Sequence, residues 1–189
     1  MKVLVACEYS GVVREAFRER GHDAWSCDIL PSDDNSKYHL QMDVLELKNQ
    51  YWDLVISHPP CTYLTVAGNK HYANRPDLYE PAAEFAKMFF DYADKVAVEN
   101  PVGRLSKLWR KPDQYIQPYM FGHTETKKTG LWLKNLPLLK ETDNVYEEMM
   151  KLPIKERQKI WYMSPGENRS KLRSITYKGI AKAMAEQWS

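Results

Sequence analysis

The chain has no apolar run long enough to cross a bilayer, and its opening MKVLVACEYS turns polar and charged too early for a secretory leader. A cytoplasmic location is therefore expected. Cysteine is sparse: Cys7, Cys27 and Cys61 are too few for a disulfide framework and are not at zinc-site spacing, so no metal is expected. Glycine is short where a dinucleotide-binding loop would need it. The stretch CEYSG carries Gly11 alone, where such a loop would have two or three glycines. Internal repeats and low-complexity tracts are also missing.

What is present suits one globular domain over residues 1–189, with 43% hydrophobic and 28% charged residues. The net charge of +2 hides an asymmetry. Residues 1–100 carry 10 Lys and Arg against 16 Asp and Glu; residues 101–189 carry 17 against 9. A basic second half fits a polyanionic partner, though charges scattered over a solvated surface account for the balance equally well.

Hydrophobic periodicity predicts alternating strands and helices in the first hundred residues. Strands are expected at Val3–Cys7, Ala24–Cys27, Asp53–Ser57 and Lys95–Val98, with helices over Val12–Arg20 and Glu80–Tyr92, Pro81 sitting in the first turn of the latter. Further strands are expected at Gln114–Met120 and Thr129–Leu133, a mostly irregular stretch with one helix over 141–170, and a closing helix over Ile175–Trp188. Such alternation predicts an α/β fold, a doubly wound and mostly parallel sheet covered on both faces.

Ligands bind such sheets beyond the carboxyl ends of the strands. Glu8, Asp28, Asp43, Cys61 and Glu99 all fall there, four acids and one thiol. Asp28 is placed to meet ribose hydroxyls and Asp43 an adenine amino group; each could equally be a cap or a surface acid. The stretch DLVISHPPCTYLTVAG, Asp53–Gly68, is more pointed. Pro59 and Pro60 stiffen the strand exit and remove two donors, so Cys61 is held in the cleft rather than in the ladder. There a thiol of lowered pKa is a nucleophile, against the competing reading of a buried, inert cysteine. For Cys7 and Cys27, inside or ending apolar runs, the inert reading is preferred. Glu99 ends the neighbouring strand, where a partly desolvated carboxyl can hold a proton near neutral pH and donate it to a ring nitrogen.

The pair HPPC at His58–Cys61 and ENP at Glu99–Pro101 resembles the cytosine-5 DNA methyltransferases, whose signatures are a Pro-Cys loop and Glu-Asn-Val. The stretches ACEYSGVVREAF, GHDAWSCDILPS, SHPPCTYL, VENP and LWLKNLPLL look closer still to the short phage and prophage proteins labelled DNA cytosine methyltransferase. This resemblance spans nearly the whole chain. It implies a Rossmann-like class I fold that binds S-adenosylmethionine through Glu8, Tyr9, Ser10, Gly11, Asp28, Ile29, Asp43, Val44 and Pro59. It also implies that Cys61 adds to carbon 6 of cytosine while Glu99 donates to nitrogen 3, with Asn100 holding the loop or orienting Glu99. A DNA cytosine would have to be flipped out or single-stranded to reach the pocket. Arg104, Arg110, Lys111, Lys127 and Lys128 are the expected phosphate contacts.

The chain departs from the family pattern in four places. Glycines are missing from the first loop; Pro101 replaces Val; Gln-x-Arg-x-Arg has no clear match; and residues 136–174 are too few for a separate target-recognition domain. Slight sequence specificity is expected. The alternatives are the same chemistry on a free cytidine nucleotide or with a modified cofactor, and a non-catalytic nucleic-acid-binding protein. An amino-group methyltransferase is disfavoured because those carry an aromatic residue after Pro-Pro.

Overall fold

A computed structural model describes residues 1–166 and 169–189, without the side chains of Asn69, Lys70 and Ser170. Seven strands form one sheet: β1 Lys2–Ala6, β2 Asp23–Asp28, β3 His39–Gln41, β4 Leu54–Ser57, β5 Lys95–Pro101, β6 Gln114–Ile116 and β7 Thr129–Lys134. Their order is β3-β2-β1-β4-β5-β7-β6. Strands β1 to β5 pair in parallel, whereas β7 runs antiparallel to both β5 and β6 and is the one reversed strand.

Alternation along the strands sorts the core onto two faces. Val3 and Val5 point with Phe17, Ile180 and Met184 into one cluster; Leu4 and Ala6 point with Val55, Ala86 and Phe89 into the other. The first face is covered by α1 Val12–Glu19 and the C-terminal helix, the second by the long helix Pro76–Met88. In chain order the helices after α1 are α2 Asn69–Tyr72, α3 Pro76–Met88, α4 Leu105–Leu108, α5 Tyr146–Lys151, α6 Ile154–Arg157, α7 Lys159–Tyr162, α8 Arg169–Ser174 and α9 Lys178–Gln187. The α/β reading thus holds, and no described helix is long and apolar enough to cross a membrane.

Several boundaries differ from the sequence expectations. Helix α3 begins at Pro76, so Pro81 lies inside it rather than in its first turn. Pro81 is exposed there, and its ring meets solvent instead of the sheet. Strand β5 does not stop at Val98: Glu99, Asn100 and Pro101 continue the ladder opposite Leu131, Gly130 and Thr129 of β7. Strand β6 ends at Ile116, where Pro118 starts a short 3-10 turn. Residues 141–170 hold α5, α6 and α7 and the start of α8, not one helix. Helix α9 begins three residues after Ile175, leaving Ile175 free to line a pocket.

Candidate active site

Strand β4 is in register with Ala6 of β1 and Val98 of β5 at Ser57, and His58 N–H extends the ladder once more to Ala6 C=O at 3.0 Å. Pro59 and Pro60 have no N–H to offer, so pairing ends there. The Pro59 carbonyl accepts from Asn100 Nδ2 at 3.1 Å, and the Cys61 carbonyl accepts from Leu64 and Thr65 N–H at 3.0 Å each. Cys61 is therefore pinned between a strand exit tied to β5 and a turn of its own. Asn100, fully buried, holds the loop rather than Glu99, and its Oδ1 has no partner among the described residues.

The pocket at this edge brings together Cys7–Ser10, His58–Cys61, Glu99, Pro101, Lys127 and Arg173–Thr176. A larger hollow of about 680 Å³ lies at the opposite edge, lined by Lys48–Asp53 and Tyr92–Lys95. It holds neither a thiol nor a histidine. Reactive groups converge only on the smaller pocket of the two.

His58 Nδ1 lies 3.4 Å from Glu99 Oε2, with the two side chains 9% and 16% exposed. Burial pushes the Glu99 carboxyl up, but the His58 hydrogen bond, the Lys127 charge and the Thr129 hydroxyl outweigh it and hold the group below the usual carboxylate range. Glu99 is thus ionised near neutral pH, contrary to the expected neutral acid. Cys61 also differs from expectation. Burial, then the Glu99 charge, push its thiol up, and Lys127 and Arg173 offset this only in part. At neutral pH the pair carries one proton, on sulfur.

Among the residues expected to bind a cofactor, Glu8 does more structural work than the sequence indicates. It is buried, and its carboxylate accepts from Val13 N–H at 2.7 Å, Arg14 N–H at 3.2 Å and Ser10 Oγ at 3.4 Å. It caps α1, whose preceding residue Gly11 takes φ 73°, a left-handed conformation that glycine adopts without a Cβ clash. Burial raises the Glu8 pKa despite these donors and the nearby His58 and Arg14 charges. Tyr9 Oη donates to Lys171 C=O at 2.9 Å and lies 2.7 Å from Ser174 Oγ. Asp28 is half-buried, which raises its pKa, and accepts from Leu30 N–H at 2.9 Å. Asp43 accepts from Leu45 N–H at 3.0 Å, and Val44 behind it is buried in the core. Ile29 and Leu45, one beyond each acid-bearing exit, are 73% and 50% exposed.

The other two thiols are held protonated. Cys7 sits in the left-handed region at φ 58°, and burial and the Asp28 charge push its thiol up. Burial, with Asp28 and Asp43, takes buried Cys27 to about 12.

Of the five basic candidates, only Lys127 lines the pocket; its Nζ donates to Ile175 C=O at 3.3 Å. Lys128 is exposed, with its amine 4.5 Å over the Tyr115 ring. Arg104 stacks 4.6 Å over Tyr79 and reaches Ala73 C=O. Arg110 is paired with Asp113 and bonds Leu133 C=O, toward the far end of β7. Lys111 beside it is exposed. Sequence reasoning missed His58 as the Glu99 partner; a histidine directly before Pro-Pro on a strand exit was the available signal. It also missed Arg173–Thr176, which nothing local marks. No group of His, Cys, Asp and Glu among the described residues could hold a metal ion. No protein-family model matches the chain, and no curated protein matches it.

Proposed function

We propose that this protein is a cytosine-5 methyltransferase acting on DNA, built on a class I S-adenosylmethionine-dependent fold. One observation carries the reading: the Cys61 thiol and the half-buried Glu99 carboxyl line one pocket at the carboxyl edge, with Lys127 beside them. The strand order with its single reversed strand is compatible with that fold.

The cofactor side fits a cation better than a phosphate. A helix N-terminus preceded by a glycine ordinarily attracts an anion. Here Glu8 already fills the N-terminus of α1, so a pyrophosphate would meet a carboxylate. With Asp28 and Asp43 at the neighbouring exits, the edge favours a positive sulfonium. Asp28 and Asp43 would hold the ribose and adenine, and exposed Ile29 and Leu45 would offer apolar cover to the base. When bound, S-adenosylmethionine supplies an electrophilic methyl group.

The proton inventory gives the chain's own part. Addition to carbon 6 needs a thiolate and an acid, the reverse of how Cys61 and Glu99 begin. Glu99 takes the thiol proton and passes it to nitrogen 3 of the ring as sulfur bonds to carbon 6. The ring gains one C–S and one N–H bond, sulfur loses its proton, and no external acid is needed. Carbon 5 becomes enamine-like and nucleophilic. Once carbon 5 carries the methyl group, its proton is lost to solvent water, the C5–C6 double bond re-forms as Cys61 leaves as thiolate, and Glu99 recovers the nitrogen 3 proton and returns it to sulfur. His58 acts as a positioning residue, its Nδ1–H holding Glu99 Oε2 so that the carboxylate stays aimed into the pocket. Lys127 keeps both partners close to exchange by favouring their anionic forms.

The test is a covalent adduct with DNA containing 5-fluorocytosine, whose carbon 5 substituent cannot leave as a proton. An adduct that needs S-adenosylmethionine and vanishes in Cys61→Ala supports the reading. A folded protein that binds S-adenosylmethionine yet forms no adduct sinks it.

A further inference from the structure

Residues 154–173 carry six Lys and Arg against two Glu. Among its described side chains, Ile154, Trp161, Tyr162 and Leu172 are 47%, 64%, 46% and 51% exposed. Both ends of this stretch are tied to the reactive edge. Thr126 N–H, one residue before Lys127, donates to Arg157 C=O at 2.7 Å, and the Lys159 amine lies 4.0 Å from Glu125. At the other end Tyr9 grips Lys171 C=O and Ser174, Lys171 pairs with Asp33, and Arg173 lines the Cys61 pocket. Its two described parts therefore flank the pocket, residues 154–162 on the β7 side and 169–173 on the β1 side.

We propose that residues 154–162 and 169–173 are a docking surface for single-stranded DNA, which they hold across the mouth of the Cys61 pocket; this rests on the function proposed above. Cations spaced along the stretch match phosphates spaced along a strand. Exposed aromatic rings match unpaired bases, whose faces are free to stack, whereas in a duplex those faces are covered by neighbouring base pairs. Trp161, the most exposed large hydrophobic side chain of the stretch, is the principal platform and Tyr162 the second. Of the five basic positions expected from sequence only Lys127 lines the pocket, and Arg110 is paired with Asp113 toward the opposite end of β7.

Binding separates this proposal from the chemistry. Fluorescence anisotropy of the full chain with a labelled oligodeoxycytidylate, free or annealed into a duplex, should show the single strand bound at least about tenfold tighter. Trp161→Ala should weaken single-strand binding about tenfold, the loss expected for one base-stacking ring. Lys155→Gln with Lys159→Gln should lower the salt slope by about one, as for two weak or partial phosphate contacts. Tyr51→Ala, 73% exposed at the opposite edge, should change nothing. Duplex binding as tight as single-strand binding overturns the proposal. So does a folded Trp161→Ala protein with native affinity, or stronger binding to poly-glutamate than to the oligonucleotide, which would assign the surface to an acidic protein. Should Trp161→Ala fail to fold, the lysine pair decides by the same criterion. Strand binding without a 5-fluorocytosine adduct defeats the proposed function alone; an adduct without binding through this rim defeats the docking surface alone.

Discussion

The two halves of the reactive edge handle buried polarity in opposite ways. At the exits of β1 to β3 the carboxylates of Glu8, Asp28 and Asp43 each accept backbone N–H groups, and all of the polar work is local. At the exits of β4 and β5, Ser57 Oγ, His58 Nε2 and Asn100 Oδ1 are buried without partners among the described residues. Groups left unpartnered in a protein interior carry a cost, and such a cost persists where function needs the atoms free. The first half is a finished cradle; the second keeps the unpartnered atoms that the proposed function would use.

The largest test of that contrast exchanges the thiols. Cys61→Ala should abolish the 5-fluorocytosine adduct on a denaturing gel, while Cys7→Ala, on the finished side, should leave it. Next in size, Glu99→Gln should slow adduct formation by roughly a hundred- to ten-thousandfold, the usual range for a lost general acid–base. Lys127→Gln should shift the pH profile of adduct formation rather than abolish the reaction. Without the ammonium both Glu99 and Cys61 rise, so the acid and alkaline limbs should both move to higher pH. An unmoved profile would remove Lys127 from the proton exchange.

Stability should divide the two halves as well. Glu8→Ala strands the amides at the start of α1 and should cost about 1–3 kcal/mol in urea unfolding. The smallest effect is the sign of the pH dependence. Glu8, raised by burial, contributes stability below the usual carboxylate range that is lost as pH climbs through its raised value. Glu99, lowered, contributes stability above that range that is lost as pH falls through its lowered value. Glu8→Gln and Glu99→Gln should therefore flatten opposite flanks of the stability curve, and equal effects on one flank would break the comparison.

Much of this edge was legible in the residues. Short apolar runs marked β1, β2, β4 and β5 because parallel strands are covered on both faces and cannot hide polar positions. Pro59 and Pro60 marked the exit because a missing N–H is a local fact. What escaped was set by distant partners. The end of β5 runs to Pro101 because β7 folds back against it, and nothing in Glu-Asn-Pro announces that neighbour. The protonation of Cys61 and Glu99 was misjudged because burial and the Glu99 charge set the first, and His58, Lys127 and Thr129 set the second. Glu8 looked like a pocket residue and does line the pocket, yet its oxygens also go to amides five and six residues ahead.

The reversal of β7 has a consequence for how the fold can change. In a parallel strand the loop that reaches the reactive edge comes after the strand; in β7 it comes before. The turn at Asn135 that leaves β7 therefore opens onto the far edge, while 122–128 arrives at the near one carrying Lys127. Length is tolerated at one end and dangerous at the other. Residues inserted after Lys134 should leave the proposed chemistry alone, whereas one residue added between Gly122 and Lys127 would carry Lys127, the one pocket-lining lysine among the described residues, out of reach of Glu99 and Cys61.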